Sequence, residues 1–309
     1  MTTPELTAGA EPLLRAQRRR IGEDVVKVVL GLCALISVAT TVGIVIALFV
    51  PAFEFFQEIS IVDFLTGKDW SPLFEPAHFG VLPLIGGTLL VTAIASAVAM
   101  PFGLGAAIYL SEYASPRARG ILKPAFEMLA GIPTIVFGYF ALTFVTPLLR
   151  DFGIQVDIFN TLSAGLVMGV MLMPTVASLS EDAMGAVPRD LRDGAYALGS
   201  TKVQVATRIV VPAAVSGIVA SFVLAISRAV GETMIVLIAM GQQPNLTFDP
   251  REAAETMTAF IAATGAGDVP TGSIEYKTIF AVGALLFVLT LVMNVFAIRL
   301  VRRYREVYE

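Results

Sequence analysis

The sequence predicts an all-α membrane protein of six transmembrane helices, with both termini on the cytoplasmic side. Three observations carry that prediction. Hydrophobic residues make up 56% of the 309 and charged residues only 15%, a balance outside the range of soluble domains. Uncharged runs of membrane-spanning length recur six times along the chain. Lys and Arg are sorted between alternate connections.

The runs cover 28–53, 76–111, 128–149, 158–180, 209–227 and 278–298, and each reaches the roughly 18–20 apolar residues that a helix needs to cross a bilayer. Residues 1–24 precede them as a cytoplasmic tail, 25–300 form one six-span domain, and 301–309 form a second tail. Arg18, Arg19 and Arg20 before the first run have the look of a secretory leader, but the run is too long for one and lacks a small-residue cleavage site, so an uncleaved span is expected. Cys33 lies inside that span, and as the one cysteine in the chain it can form no internal disulfide. The second run opens near His78, the one histidine, which has no cysteine or carboxylate cluster about it to suggest a metal site. Helix breakers sit within the second run (Pro101, Gly103, Gly105), the third (Gly131, Pro133) and the fourth (Pro174). Breakers are tolerated at membrane depth where neighbours or water re-satisfy the backbone, and together they suggest helices that shift against one another. Lys123 and Glu127, four apart near the start of the third run, suit an interfacial pair. In the fifth run, Gly217, Ser221 and Ala225 recur at the interval that lets helices approach closely. The fifth run continues past two charges to residue 248, so a longer span is expected there.

Orientation follows from the cations. With both ends inside, the cytoplasm holds Arg15, Arg18, Arg19, Arg20 and Lys27, then Arg117, Arg119 and Lys123, then Arg189, Arg192, Lys202 and Arg208, and last Arg299, Arg302, Arg303 and Arg305. The outside holds only Lys68, Arg150, Arg251 and Lys277. That bias sets the topology. The outer connections at 54–77 and 242–277 are rich in Asp and Glu, and as loops on a rigid scaffold they suit a landing surface for another protein.

The polar segment 181–212, between the fourth and fifth runs, reads as a docking surface for a separate motor. Pro188 suits a first helical turn, Gly199 a left-handed helix end, and Thr201 with Gln204 a capping box that opens a second helix. The expected shape is helix, glycine turn, helix. Gly194, Ala195 and Ala197 keep one side of the first helix small enough for close approach by another backbone.

The fifth run carries Arg228 and Glu232 in Ser227-Arg228-Ala229-Val230-Gly231-Glu232-Thr233-Met234. Along a continuous helix Arg228 lies ~24 Å from Pro212 and ~20 Å from Gly241, near mid-depth. A charge there faces protein or a watered cavity. Its fork of donors suits an oxyanion, while Glu232 one turn on suits a self-neutralising pair that fixes packing. Both readings stand on the residues alone.

The offsets in the loop resemble the EAA signature of binding-protein-dependent ABC importer permeases: an acidic residue (Asp193), glycine six later (Gly199), then Ile209-Val210-Val211-Pro212. Asp193 stands for Glu, Gly194 for Ala and Val211 for Leu, changes that keep charge, size and apolarity. From about residue 60 to 300 the chain is similar to the phosphate-specific, PstC-type branch. The likeness includes Asp63-Phe64-Leu65-Thr66-Gly67 leading to Trp70-Ser71-Pro72, then Pro83-Leu84-Ile85-Gly86-Gly87-Thr88. It continues through Tyr109-Leu110-Ser111-Glu112-Tyr113-Ala114, Leu129-Ala130-Gly131-Ile132-Pro133-Thr134 and Gly231-Glu232-Thr233-Met234.

The resemblance implies a type I ABC importer permease in a bacterial or archaeal plasma (inner) membrane, contacting lipid and no nucleic acid. It implies three partners: a homologous PstA-type permease, a PstB-type ATPase dimer and an extracytoplasmic PstS-type phosphate-binding protein. Asp193, Gly194, Ala195, Gly199 and Pro212 would couple to the ATPase; Arg228, Glu232 and Thr233 would line the substrate path. The chain itself would perform no bond chemistry and hold no metal or cofactor. A PstA-type subunit or a sulfate or molybdate permease shares the EAA loop, but not the Trp70 segment or Gly-Glu-Thr-Met. A secondary carrier has no reason for an ATPase-docking loop, and one His and one Cys with no acid–base cluster speak against an enzyme.

Overall fold

The computed structural model describes residues 21–303, so most of the expected tails, with Arg15, Arg18, Arg19, Arg20 and Arg305, lies outside the described residues. The chain divides after Ala47 into two units. The first, in its described part, is a helical stretch that opens α1 (Ile21–Glu58). The second begins within α1 and continues through α2 (Ile61–Thr66), then β1 (Trp70–Ser71) and β2 (His78–Phe79). The two strands pair antiparallel with Trp70 opposite Phe79, a small addition to an otherwise helical fold.

The helices that follow are α3 (Leu82–Tyr113), α4 (Pro116–Ala130), α5 (Thr134–Asp151), α6 (Thr161–Gly185), α7 (Arg189–Ala197) and α8 (Lys202–Ala213). After them come α9 (Val215–Val230), α10 (Met234–Ala239), α11 (Met257–Ala266) and α12 (Ile274–Arg303). Four helices (α1, α3, α6 and α12) are long and apolar enough to cross a membrane. The count is six when α4–α5, bent by 88°, and α8–α9, bent by 71°, each serve as one span. Single π turns close α3 (Tyr109–Tyr113) and interrupt α5 (Ala141–Val145) and α8 (Ala206–Val210).

The third span is broken where its breakers were expected to act: Gly131-Ile132-Pro133 turns the chain between α4 and α5, because Pro133 has no N–H to give and disfavours helical geometry at Ile132. Two other expectations are corrected. The fifth does not run on to 248. It stops at Val230, and α10 is a separate short helix, so distances measured along one continuous rod do not apply to Arg228. The connection at 242–277 is not wholly a solvated loop, since it contains α11 with Met257, Thr258, Ala259, Phe260 and Thr264 buried. Pro101 and Pro174, by contrast, sit inside uninterrupted helices.

The packing centre is α3 against α6. Close approach requires glycine: a Cβ on Gly169 would lie 2.6 Å from Val98 Cβ and 2.9 Å from the Ala95 carbonyl, and one on Gly165 2.7 Å from Ile94. Gly103 gives α6 the same room beside Val176. α9 lies along α6 as its small residues predict. Gly217 fits against Ala183, Ala225 is buried, and the Ser221 and Ser180 hydroxyls share a hydrogen bond of 2.8 Å. Around this centre, Phe55, Phe64, Trp70, Leu84 and Phe260 form a second apolar cluster where α3 begins. Ala107, Met184, Ala195, Val205 and Val210 form a third where α3 ends.

Candidate functional site

Two sites follow from the helix ends, the first at the α7–α8 loop. α7 ends in a paired hydrogen-bond closure: Ser200 N–H donates to the Ala195 carbonyl (3.1 Å) and Gly199 N–H to Tyr196 (2.9 Å). This is the Schellman arrangement, and it requires the left-handed φ of +80° found at Gly199. Thr201 and Gln204 then form the reciprocal capping box that opens α8. The helix, glycine turn, helix shape is thus built as the local chemistry predicts. Two details differ. Pro188 is the residue before α7, with extended ψ of 137°, rather than inside its first turn. Ala195 is buried in the chain's own apolar cluster and is not offered to a partner. Asp193, Gly194 and Pro212 are exposed, and a Cβ on Gly194 would meet nothing within 4 Å. Leu198, 89% exposed at the turn, is the most open apolar side chain of this loop.

Arg192, counted in the sequence only as a topology charge, ties this loop to the helices. Its guanidinium donates to the Val187 carbonyl (2.6 Å), the Met184 carbonyl (2.7 Å) and Glu112 Oε1 (3.2 Å). It therefore adds a donor to the Met184 carbonyl in the last turn of α6 and to the Val187 carbonyl in the connection that follows, while holding the π turn of α3 through Glu112. One turn back on α6, Glu181 is 1% exposed and accepts from both Arg119 and Lys123 of α4. Lys123 also reaches Asp182 at 3.4 Å; the expected Lys123–Glu127 pair is replaced by these bonds. Partners separated by 80 and 62 positions carry no sequence signal, which is why the network was missed.

The second site is the break after α9. Gly231 ends that helix, and Glu232-Thr233 separates it from α10. Glu232 Oε1 accepts from the N–H groups of Met234 (3.1 Å) and Ile235 (3.4 Å), so the carboxylate is spent on the start of α10. Its backbone carbonyl is held by the Thr258 hydroxyl at 2.6 Å. The helical pairing of Arg228 with Glu232 is thereby overturned, because the helix stops between them. Arg228 is exposed, and its one hydrogen bond is a long one (3.4 Å) to the Thr175 hydroxyl of α6. Among the described residues no carboxylate pairs with it. Thr233, half-buried, donates to the Gly231 carbonyl at 3.4 Å. The result is a guanidinium with most of its five donors uncommitted, held at a helix break. No group of three or more metal-ligating side chains occurs among the described residues.

Several long apolar helices, two bent pairs of span length and a polar helical loop suit a multi-pass membrane permease. Residues 99–306 match the family described as binding-protein-dependent transport system inner membrane component, and the chain belongs to it. It is 34% identical to the probable ABC transporter permease protein YqgH of Bacillus subtilis, covering 89% of each chain. It is 33% identical to the phosphate transport system permease protein PstC of Mesorhizobium japonicum, covering 80% of each. A solved bacterial alginate ABC transporter in complex with a periplasmic protein shares the fold, with a TM-score of 0.64, 18% identity and coverage of 92% and 98%.

Proposed function

We propose that this chain is the permease subunit of an ATP-driven importer of inorganic phosphate, and that Arg228 is the contact the anion makes in transit. The observation that carries this reading is the unpaired guanidinium at the α9–α10 break, whose neighbouring carboxylate is turned away to cap a helix. A cation free of carboxylates is available to an oxyanion, and its fork matches two phosphate oxygens. One long hydrogen bond holds it loosely enough to release the anion again. Relatives named as phosphate permeases give the substrate.

In this reading both ends of the chain and the α7–α8 loop face the cytoplasm, as the Lys and Arg distribution requires. A PstB-type ATPase dimer takes Leu198 and its exposed neighbours, a PstA-type permease completes the path, and a PstS-type protein delivers phosphate outside. Asp193, Gly194, Gly199 and Pro212 shape the ATPase contact, and Ala195 supports it from beneath. Glu232 and Thr233 serve the path by fixing the break. ATP hydrolysis belongs to the partner, and this chain makes and breaks no covalent bond.

The test is uptake of labelled phosphate by proteoliposomes holding the complete transporter. Arg228→Gln leaves no carboxylate without a partner, so assembly is expected at wild-type yield. Uptake should fall about tenfold or more, the scale of one lost charge-assisted hydrogen bond. Uptake within twofold of wild type in that variant would remove Arg228 from the path.

A further inference from the structure

A crevice of about 330 Å3 lies between α4 and the C-terminal half of α6, with Lys123, Glu127 and Ala130 on one wall and Thr175, Ser178 and Glu181 on the other. It starts at the anion contact, because Thr175 is the residue whose hydroxyl accepts from Arg228. Ser178 and Glu181 follow at successive turns, so the crevice reaches about 9 Å along α6. In this structure it is shut to an oxyanion. Glu127 and Glu181 repel one at close range. Among the described lining residues the one cation, Lys123, is committed to Glu181 at 3.0 Å and to Asp182 at 3.4 Å.

α4, which forms one wall, is attached in a way that lets it lift. None of its side chains is fully buried, the mark of an element that opens easily. Both its ends are non-helical joints. Ala114 and Ser115, with ψ of 132° and 157°, precede it, and Gly131-Ile132-Pro133 follows it. Leu129, beside the second joint, packs against the central apolar cluster. The opposite half is fastened by charge, where buried Glu181 accepts from Arg119 and Lys123. Apolar packing at one end and ion pairs at the other make a hinge and a latch. Releasing the latch strands no charge, since Arg119 is exposed and Lys123 half-buried, and water reaches Glu181 once α4 lifts.

The α7–α8 loop has a grip on both parts. Arg192 of α7 donates to the Met184 carbonyl, one turn beyond Glu181, and to Glu112, two residues before Ala114. A pull on α7 is therefore felt at the latch and at the first joint together. We propose that α4 is a lid on the path beyond Arg228, latched by the bonds of Arg119 and Lys123 to Glu181 and released through Arg192 when α7 moves. Its place in the path rests on the importer reading, which puts Arg228 there. Phosphate leaving Arg228 goes on only after α4 lifts, carrying Lys123 and Glu127 away from Glu181.

The experiment follows one thiol inside the crevice of the complete transporter in nanodiscs. Ser178→Cys is combined with Cys33→Ala and cysteine-free partner subunits, and reacted with a membrane-impermeant maleimide. Glu181→Gln keeps the shape and removes the charge that holds both cations. Labelling should then speed up about tenfold, and phosphate moved per ATP in proteoliposomes should fall about threefold or more, the scale of one lost charge-assisted hydrogen bond. A Glu181 that only held the fold would lower the assembled yield and leave labelling of the assembled transporter unmoved. Labelling within about twofold of the parent would overturn the proposal. Should Glu181→Gln fail to assemble, a second arm decides. Lys123→Cys with Glu181→Cys, bridged by a short reducible cross-linker, should stop uptake, and reduction should restore it. Uptake by the bridged pair within about twofold of the unbridged one would also overturn the lid. The thiol is read without transport, so a wild type that moves no phosphate ends the importer reading and leaves the lid to be judged by labelling alone.

Discussion

The loop end of the molecule and the break after α9 treat charge in opposite ways. At the loop end the buried charges are saturated: Arg192 makes three hydrogen bonds and Glu181 accepts from two cations. At the break, the guanidinium of Arg228 makes one long bond, and the nearest acid in sequence is committed elsewhere. The contrast separates transmission from recognition. A saturated network has nothing left to offer a ligand but resists being pulled apart, which suits a joint that passes movement between α7, α6, α4 and the π turn of α3. An unsaturated group adds little to the fold and keeps its bonds for a visitor.

Breaking a saturated contact should cost the fold most. Arg192→Ala leaves Glu112, whose side chain is 6% exposed, without its cation and removes a donor from the Met184 and Val187 carbonyls. A loss of about 3–5 kcal/mol is expected, the range for one partner removed from a buried pair, read as a lowered unfolding midpoint and poor recovery of the complex. Arg228→Gln provides the other arm of the comparison, with transport lost and the unfolding midpoint unchanged. If both variants unfolded alike, the distinction between the two sites would collapse.

Gly199→Val tests the turn between the two helices of the loop. A β-branched residue at φ +80° costs about 1–2 kcal/mol and strains the Schellman closure. ATP hydrolysis should then continue with little phosphate moved per ATP. Hydrolysis and uptake falling in equal proportion would mean that the turn merely holds the fold. Thr201→Ala removes one half of the capping box and should cost about 1 kcal/mol, with coupling only dented; thermal unfolding and the uptake-to-hydrolysis ratio report it together.

A pH dependence is expected at Glu255, which is buried beside a crevice between β1 and α11. Its folded carboxyl is raised to about 7 from the usual 4.5, so the stability it contributes is full below 4.5 and is lost as pH rises through 7. Asp268 is the other titratable group lining its crevice. The unfolding midpoint of the wild type should decline between pH 5 and 8, and the Glu255→Gln variant should lose most of that slope. Equal slopes would mean that the carboxyl is solvated.

What was legible in the sequence was local. Gly199, Thr201 and Gln204 could be placed because caps and left-handed turns are decided within a few residues. Six spans could be counted because each needs its own apolar run. The Arg228–Glu232 pairing failed because it assumed a helix through Gly231, and α11 was missed because a ten-residue apolar helix is too short to announce itself as a span. Pro133 marked a real bend while Pro101 and Pro174 did not. A lone proline removes one hydrogen bond, and at 131–133 Gly131 stands directly before the restricted Ile132 and Pro133. The break at Ala214, φ −91° and ψ 3°, has no breaker residue of its own.

The glycine-lined seam between α3 and α6 has a mechanical consequence. With Ile94, Val98 and Val176 set into spaces where even a methyl group would not fit, the two helices have no slack and can neither slide nor rotate past one another without collision. They act as a stiff chassis. Whatever flexing the permease performs is therefore pushed out to its compliant points, the 88° and 71° corners at 131–133 and Ala214. The stroke of the machine is expected to be a change in those two angles, and its amplitude is limited by how far each corner can open before the chassis is touched.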